Sequence, residues 1–378
     1  MLRRTAAALA AAVAFTACTD DPGAVADPIS VESAVDVVRS GQPVLRVGAV
    51  IDQNSPSVER DTRLLDRVRE AAAIVDAGHD LQLEVATINE PDDIPGAIDL
   101  LTELGVTVLL TTCDTTSVPL IAEASAERSL LTVTGCASLP HPDIRRSPLF
   151  ADLANLDHVH EAMSTWARQE DLGSAAVVAS KLLRDVAEVC TDFESSFARR
   201  GGTIVGSTEF TGVLDPVSEV AVDAAATTTD ADVVAVCALP GTIGPLIAEL
   251  RANGVDQPIV VPWFAGDEDW TDLDDVHLVA TASQHGDDPD PLVDSFLEGG
   301  TSGDAVLLDT VATLTLAADA ADSVGSQRLN DALLDTEFAA PSGPIEVDSD
   351  TRKTRGRTYR LIDIEDGRGS FARSIVVG

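Results

Sequence analysis

The sequence predicts an α/β protein made of two doubly wound, Rossmann-like lobes, each built on a parallel sheet. Strand-like and helix-like segments alternate from residue 45 onward, a pattern that requires parallel strands joined by right-handed crossovers. The alternation occurs in two sets, separated by a proline-rich break at residues 139–148. The chain has 378 residues, more than one hydrophobic core commonly organises. Two similar units are therefore expected.

The first unit opens with an apolar, β-branched run at residues 45–51, as expected for a strand covered on both faces. The helix predicted at 57–77 carries Leu64, Leu65 and Val68 on one stripe and ends at Gly78. The other predicted elements of this unit are strands at 81–87, 106–111 and 130–134 and helices at 94–104 and 118–127.

The second unit repeats the alternation, and glycines follow several of its predicted helices. Its predicted helices are 157–170, 184–200, 216–227 and 242–253, and its strands are 175–180, 203–207, 232–238 and 258–262. The tail departs from this pattern: it contains helices at 288–297, 304–324 and 329–334, then a strand pair at 343–347 and 358–364 with a turn at Asp366-Gly367.

The first residues have the organisation of a signal peptide, predicted over 1–17. Arg3 and Arg4 precede an apolar stretch at 6–15, which is too short to span a bilayer. The sequence Phe15-Thr16-Ala17-Cys18 resembles the lipobox of bacterial lipoproteins, although Phe15 departs from the usual Leu or Val. The resemblance implies cleavage before Cys18 and a diacylglyceryl group on its thiol, which anchors the mature chain to the cell membrane. The alternative is an ordinary secretory signal in which Cys18 is incidental.

Residues 18–43 are largely polar and are predicted to form a flexible tether. Within this segment, residues 30–39 are compatible with a short helix that has Ser30 as its N-cap.

The net charge of the chain limits the classes of partner that it can bind. The chain has 63 acidic residues against 25 Lys and Arg, a formal net charge of −38. Such a surface repels nucleic acid and anionic lipid, so neither is an expected partner.

Four cysteines follow Cys18: Cys113, Cys136, Cys190 and Cys237. An even number in an exported protein favours disulfides, and spacing alone leaves all three pairings open, as well as four free thiols.

Catalytic and metal-binding patterns are weak in this sequence. His158 and His160 form the one close histidine pair, but positions i and i+2 of a helix face opposite sides and cannot share an ion. Gly241 and Gly244 open a predicted helix and could cradle an anion, although such glycines commonly serve the turn itself. No familiar catalytic or nucleotide-binding motif is present. We therefore expect no enzymatic activity, no metal and no cofactor.

Ligand contacts are expected beyond the carboxyl ends of the strands, where doubly wound sheets bind small molecules. Residues at these positions are equally typical N-caps of the following helices. The candidate ligand-binding residues are Asn54, Ser55, Asp114, Thr115, Ala137, Ser138, Ser180, Lys181, Leu239, Trp263 and Asp267.

From about residue 45 onward the chain resembles the type I periplasmic binding proteins, specifically the branched-chain amino-acid and amide group that serves ABC transporters. The segments that carry the resemblance are Val47-Gly48-Ala49-Val50, Gly105-Val106-Thr107-Val108-Leu109-Leu110, Thr132-Val133-Thr134-Gly135-Cys136-Ala137-Ser138, Ala231-Asp232-Val233-Val234 and Gly343-Pro344-Ile345. Each segment is a weak motif alone, and their order and spacing along the core make the match specific.

The resemblance implies a type I periplasmic binding protein fold with a three-segment hinge. Lobe one would comprise 44–149 and 286–341, and lobe two 150–285 and 342–378, with crossings near 147–152, 283–287 and 340–343. Ligand binding would close the lobes about this hinge.

The implied function is that of an extracytoplasmic substrate-binding lipoprotein, a monomer that delivers a small polar molecule to an ABC permease. The ligand would be an amino acid or a related amine or amide. Asp114 stands where the family commonly has a serine that holds the ligand carboxylate, and Leu182 or Leu183 and Leu239 replace covering aromatics. These departures keep open an alternative: a sensing or scaffold lipoprotein that has a degenerate cleft and acts on a cell-envelope partner.

In the implied fold, Cys113 and Cys136 end neighbouring strands, which suggests a disulfide between them. Cys190 and Cys237 would then form a second disulfide within lobe two, leaving the hinge free.

Overall fold

A computed structural model describes residues 29–33, 42–76, 78–114, 116–136, 147–154, 157–182, 184–211, 215–263, 268–298, 300–321 and 323–377. Within these ranges, no helix is both long and apolar enough to cross a membrane.

Lobe one is built on a six-stranded sheet with the order β1-β3-β2-β4-β5-β6. Its strands are β1 (Ser30–Ser33), β2 (Val44–Asp52), β3 (Asp80–Ile88), β4 (Val108–Thr111), β5 (Leu131–Thr134) and β6 (Phe150–Ala151). Every pairing from β3 to β6 is parallel. The connecting helices are α1 (Val58–Ile74), α2 (Ile94–Glu103) and α3 (Ser117–Glu127). Strands β4 and β5 are buried along their whole length, as expected for inner strands of a parallel sheet covered on both faces.

Strand β1 corrects the prediction for the segment 18–43. The residues at 30–33 form an antiparallel edge strand on β3, not the start of a helix. Ile29 and Val31 pack against the core beneath α2. Two apolar side chains spaced two residues apart lie on one face of a strand, and the open edge of β3 supplies its hydrogen-bonding partner. The rest of the tether, 18–28 and 34–41, lies outside the described residues.

Lobe two is built on a seven-stranded sheet with the order β16-β15-β11-β10-β9-β7-β8. Its strands are β7 (Ser174–Ser180), β8 (Thr203–Phe210), β9 (Val233–Cys237), β10 (Ile259–Pro262), β11 (Val276–Ala280), β15 (Thr358–Glu365) and β16 (Arg368–Val376). Its helices are α4 (Val159–Gln169), α5 (Arg184–Arg199), α6 (Val217–Thr228) and α7 (Ile243–Ala252). The hairpin β15–β16, turned at Asp366-Gly367, joins the sheet by antiparallel pairing of β15 with β11.

Three further helices return to lobe one: α8 (Pro291–Phe296), α9 (Asp304–Ala320) and α10 (Ser326–Leu333). Residues of all three belong to the same core as Leu64, Leu65 and Val68 of α1. Helix α9 also reaches the other lobe, because Val306 packs in the core of lobe two.

The third crossing lies later than predicted. Strands β12 (Glu337–Ala340), β13 (Gly343–Val347) and β14 (Thr354–Arg355) form a small antiparallel sheet. Ile345 and Val347 of β13 pack in the core of lobe one, whereas Tyr359 packs in that of lobe two. The expected pairing of 343–347 with 358–364 is therefore wrong, and the chain changes lobes after β14 and not at 340–343.

The described residues form two disulfides, and each lies within one lobe. Cys113 bonds to Cys136, which joins the ends of β4 and β5. Cys190 of α5 bonds to Cys237 at the end of β9. This is the pairing expected for the implied fold, and neither bond bridges the lobes.

Candidate functional site

The candidate site lies at the carboxyl ends of the strands, where the winding direction of each sheet reverses. In lobe one, the chain passes from β2 to β3 on one side and then to β4 on the other. In lobe two, β8 and β9 flank β7 in the same way. The carboxyl ends of β2 and β4, and those of β7 and β9, are therefore the switch points at which doubly wound sheets form a binding crevice.

Both switch points open toward the junction of the lobes. The chain leaves lobe one from the carboxyl end of β6 and leaves lobe two from that of β11. Just after β11, Thr281 Oγ1 donates a hydrogen bond to Ser302 O at 2.8 Å. Trp263, which follows β10, faces the start of α9, where a Cβ at Gly303 would lie 3.6 Å from its Cζ3 atom. The carboxyl ends of the strands in both sheets therefore face the junction between the lobes, which we call the crevice.

Asp114 lies three residues before the first residue of helix α3 and binds the residues that begin it. Its Oδ1 accepts hydrogen bonds from Thr116 N and Thr116 Oγ1 at 3.0 and 2.7 Å, and its Oδ2 accepts from Ser117 Oγ at 2.7 Å. Burial raises the pKa of the carboxyl, but the hydrogen bonds from Thr116, Ser117 and Ser55 outweigh it, so the pKa lies below its ordinary value. Asp114 therefore stays ionised, and its carboxylate oxygens accept hydrogen bonds from the residues at the start of its own helix.

Asp61 is a buried carboxylate that the sequence analysis did not single out. It lies on the inner face of α1, and its Oδ1 accepts the Cys113 N–H at 2.7 Å. Burial raises its pKa above the ordinary value, and the hydrogen bond from Cys113 partly offsets that effect. Asp61 thus fixes the loop that leaves β4.

Arg60, the neighbour of Asp61, was also not predicted. Its Nη2 donates to Cys113 O at 2.8 Å and to Ser57 Oγ at 3.2 Å. The backbone of Cys113 is therefore held at its N–H by a carboxylate and at its carbonyl oxygen by a guanidinium. This arrangement places a positive charge at the switch point of lobe one.

The two candidate residues at the end of β2 differ in exposure. Ser55 is buried, and its Oγ accepts the Ser57 N–H at 3.1 Å. Asn54 is exposed and donates from Nδ2 to Asn89 O at 2.7 Å, which links the loops after β2 and β3.

The candidates in lobe two are engaged mostly with their own lobe. Ser180 is buried, and its Oγ accepts the Leu182 N–H at 3.3 Å. Lys181 is exposed and forms an ion pair with Glu209 of the edge strand β8. Leu239 and Trp263 both pack against the core of lobe two.

Helix α7 begins with the two glycines considered as an anion cradle, and a carboxylate of the same chain occupies the position. Glu268 accepts from Gly241 N through Oε1 and from Gly244 N through Oε2, the latter at 3.1 Å. Gly241 has φ +81°, a conformation that favours glycine. The N–H groups at the start of this helix therefore hold an internal anion.

Four of the predicted ligand-binding residues, Thr115, Ala137, Ser138 and Asp267, lie outside the described residues, as does Cys18. Of the described candidates, Asn54, Ser55 and Asp114 meet at the switch point of lobe one, and Ser180, Lys181 and Leu239 lie at that of lobe two. Among the residues that the structure describes, no group of three or more His, Cys, Asp or Glu is arranged to hold a metal ion.

Solved structures share this architecture. A putative branched-chain amino acid ABC transporter protein from Rhodospirillum rubrum is 16% identical, with a TM-score of 0.72 over 87% of this chain and 100% of its own. A leucine binding protein from Thermotoga maritima is 15% identical, with a TM-score of 0.63 over 88% of this chain and 98% of its own.

A solute binding protein of an ABC transporter from Rhodopseudomonas palustris, in complex with 3,4-dihydroxybenzoic acid, is 15% identical, with a TM-score of 0.64 over 88% of this chain and 97% of its own. No protein-family model and no curated protein matches the sequence. At these identities the likeness shows the fold, which is that of the type I periplasmic binding proteins, as the sequence predicts.

Proposed function

We propose that this chain is the extracytoplasmic substrate-binding component of an ABC transporter and that it captures a small molecule between its lobes. The observation that carries the proposal is that the switch points of both sheets open toward the same junction, where Trp263 faces the start of α9. The solved structures of this architecture described above are substrate-binding or transporter proteins. In this role the protein binds and releases its ligand without changing it.

The ligand is proposed to be a small polar molecule, an amino acid or a related amine or amide. Thr116 and Ser117 donate hydrogen bonds to both oxygens of Asp114, which offsets part of the repulsion that its charge exerts on a carboxylate ligand. Two of the similar structures are named for leucine and for 3,4-dihydroxybenzoic acid, and both of those molecules carry a carboxyl group.

Delivery requires the protein to stay near its permease, and we propose that a lipid on Cys18 provides the anchor. The described part of the chain begins at Ile29, which packs on lobe one beside β1. The ten residues between Cys18 and Ile29 span about 35 Å at most when fully extended. Lobe one would therefore stay close to the membrane surface, and the protein acts there as a monomer.

Thermal unfolding tests the binding role. We would follow the chain from Thr19 to Gly378, which keeps every described residue, against amino acids, amides, polyamines, aromatic acids, sugars and nucleosides. A ligand at about 100 times its Kd adds about 2.7 kcal/mol to the free energy of unfolding. We expect one chemical class to raise the midpoint. A well-folded protein that responds to none of them contradicts the proposal.

Membrane fractionation tests the anchor separately. The full chain is expected in the membrane fraction, labelled by a fatty-acid precursor. Cys18→Ser removes the thiol and should leave the protein unlabelled. Labelling that persists in the variant contradicts lipidation at Cys18.

One observation favours a second candidate function, a scaffold with a degenerate cleft. Several polar groups at the two switch points already have partners within the chain: Lys181 pairs with Glu209, and Glu268 occupies the start of α7. A scaffold needs no free ligand contacts. This second candidate predicts that no ligand in the panel raises the midpoint of thermal unfolding.

A further inference from the structure

The guanidinium of Arg60 is fixed in position and retains free donors. Its Nη2 is held on Cys113 O and Ser57 Oγ at the end of β4. Arginine has five N–H donors in a planar fork, so those on Nε and Nη1 remain available. Among the described residues, no carboxylate forms an ion pair with Arg60, and the side chain is exposed. The cation therefore faces the crevice with unused hydrogen-bonding capacity.

The carboxylates around the crevice already accept hydrogen bonds from within the chain. Asp114 accepts three hydrogen bonds at the start of α3. Asp61 accepts from Cys113 N through Oδ1, and its Oδ2, which has no hydrogen-bond partner in the described part, is buried beneath the loop after β4 and out of reach of a ligand. Across the crevice, Glu268 accepts from both Gly241 N and Gly244 N. An ammonium group would have to displace these internal bonds, whereas an anion would meet the free donors of Arg60.

We infer that the ligand carries a carboxylate and that Arg60 binds it. This inference rests on the proposed substrate-binding function and narrows its ligand class to organic acids, with amino acids among them and simple amines and amides excluded. A guanidinium recognises a carboxylate through two parallel N–H···O bonds, and such charge-assisted bonds are stronger than neutral ones. Lys181 does not compete for this role, because Glu209 neutralises its charge.

Paired ligands that differ only at the carboxylate give the first test. We would titrate benzoate, 4-hydroxybenzoate, L-leucine and L-valine by calorimetry, each beside its own carboxamide, with putrescine as a cation that has no carboxylate. At least one acid is expected to bind, and its carboxamide should bind about 10- to 100-fold more weakly because a charge-assisted contact is lost. Putrescine should not bind.

Variants of α1 give the second test. Arg60→Gln removes the charge and should weaken binding of the acid to the level of its carboxamide, while binding of the carboxamide changes little. Arg60→Lys keeps the charge without the planar fork and should give an intermediate Kd. Arg63→Gln is the matched control: Arg63 is exposed on the same helix and makes no contact with the loop after β4 in the described part. The control should bind the acid as the wild type does.

The outcomes separate the inference from the proposed function. If a carboxamide or an amine binds as tightly as the acid, or if Arg60→Gln leaves the Kd of the acid unchanged, the inference is wrong and the binding function stands. If the folded wild type binds none of these ligands and none of the wider panel, the proposed function itself fails and the inference falls with it. Because the comparison of acid with carboxamide uses the wild type, it tests the requirement for a carboxylate even if Arg60→Gln folds poorly, and Arg60→Lys, which keeps the charge, then tests the role of Arg60.

Discussion

Arg357 Nη1 lies 2.9 Å from Asp309 Oδ2, and both side chains are almost completely buried, with 3% and 1% of their surfaces exposed. Asp309 belongs to α9 of lobe one, and Arg357 follows the third crossing into lobe two. Arg357 Nη2 also donates to Leu153 O in the first crossing at 2.7 Å. One guanidinium thus ties two crossings to the helix that spans the junction of the lobes.

Asp309→Asn should destabilise the protein by about 3–5 kcal/mol, because it leaves the guanidinium of Arg357 buried without its counter-ion. Burial raises the pKa of Asp309, and the charge of Arg357 opposes that shift. Urea unfolding measures the change in free energy.

A double-mutant cycle isolates the pair. Arg357→Met should be less destabilising in the Asp309→Asn background than in the wild type, with a coupling of about 1–3 kcal/mol. The exposed pair of Arg373 with Glu170 is the matched control, and Arg373→Met should change stability by less than about 1 kcal/mol. Strict additivity at Asp309 and Arg357 would show that the contact contributes no coupling.

Tyr359 should ionise only when the protein unfolds. It is the single tyrosine of the chain, it is fully buried, and its hydroxyl has no hydrogen-bond partner in the described part. Burial raises its pKa above the ordinary 10.0. A raised folded pKa contributes stability that is complete below the unfolded pKa and is lost as pH rises above it. Near-ultraviolet absorbance of tyrosinate reports the titration of this residue alone, and it should appear together with loss of helical circular dichroism.

Tyr359→Phe is the matching variant. It removes a buried, unpaired hydroxyl, so stability near neutral pH should stay the same or rise by about 1 kcal/mol. The loss of stability above the ordinary tyrosine pKa should become shallower. Tyrosinate absorbance that develops while the wild type remains folded would overturn this prediction.

The two disulfides should differ in their effects on binding. Cys113 and Cys136 are separated by 23 residues, and Cys190 and Cys237 by 47. Loop closure predicts losses of about 3 and about 4 kcal/mol when each pair is replaced by alanine. Only the first pair holds the loop that Arg60 and Asp61 contact. Calorimetry on a bound ligand should therefore show weaker binding for Cys113→Ala/Cys136→Ala and unchanged binding for Cys190→Ala/Cys237→Ala. Equal effects of the two replacements on affinity would contradict this assignment.

Long apolar elements were predictable from sequence because their pattern is local. The strand expected at 45–51 is β2 (Val44–Asp52), and the helix expected at 57–77 is α1 (Val58–Ile74). Elements that form only because they pair with a distant part of the chain could not be predicted from sequence. Strand β1 exists on the open edge of β3, and the alternation at 343–347 indicated a strand without indicating that its partners are β12 and β14. Strand β11 was missed because His277 interrupts a short run, and Asp363 pairs with that histidine across the sheet.

The sequence predicts a position for the candidate site but not the hydrogen bonds within it. The rule that ligands bind beyond strand ends led to Ser55 and Asp114, but it does not say which polar groups are already satisfied. The sequence held one usable signal. Asp61 lies on the same helical stripe as Leu64 and Leu65, which marks a buried carboxylate. The bond from Arg60 to Cys113 O joins residues 53 apart and could not be read from sequence.

Asp348 lies in the loop between β13 and β14 as a partly buried carboxylate with strong local partners. Its Oδ1 accepts from Thr351 N at 2.6 Å and from Asp350 N at 2.9 Å, and its Oδ2 accepts from Arg355 Nε. The hydrogen bond from Thr351 and then that from Arg355 lower its pKa from 3.8 to about 2.

A depressed folded pKa contributes stability that is complete above the unfolded pKa and is lost as pH falls through the folded pKa. The contribution of Asp348 should therefore disappear between pH 3.8 and about pH 2. Urea unfolding over this range should show a steeper loss for the wild type than for Asp348→Asn, which has no carboxyl to protonate. Asp350→Asn is the control, because the side chain of Asp350 makes no hydrogen bond in the described part and Asp350 contributes only its N–H to Asp348. An NMR titration of the Asp348 carboxyl that gives a midpoint near 3.8 would show that the loop does not hold the charge as described.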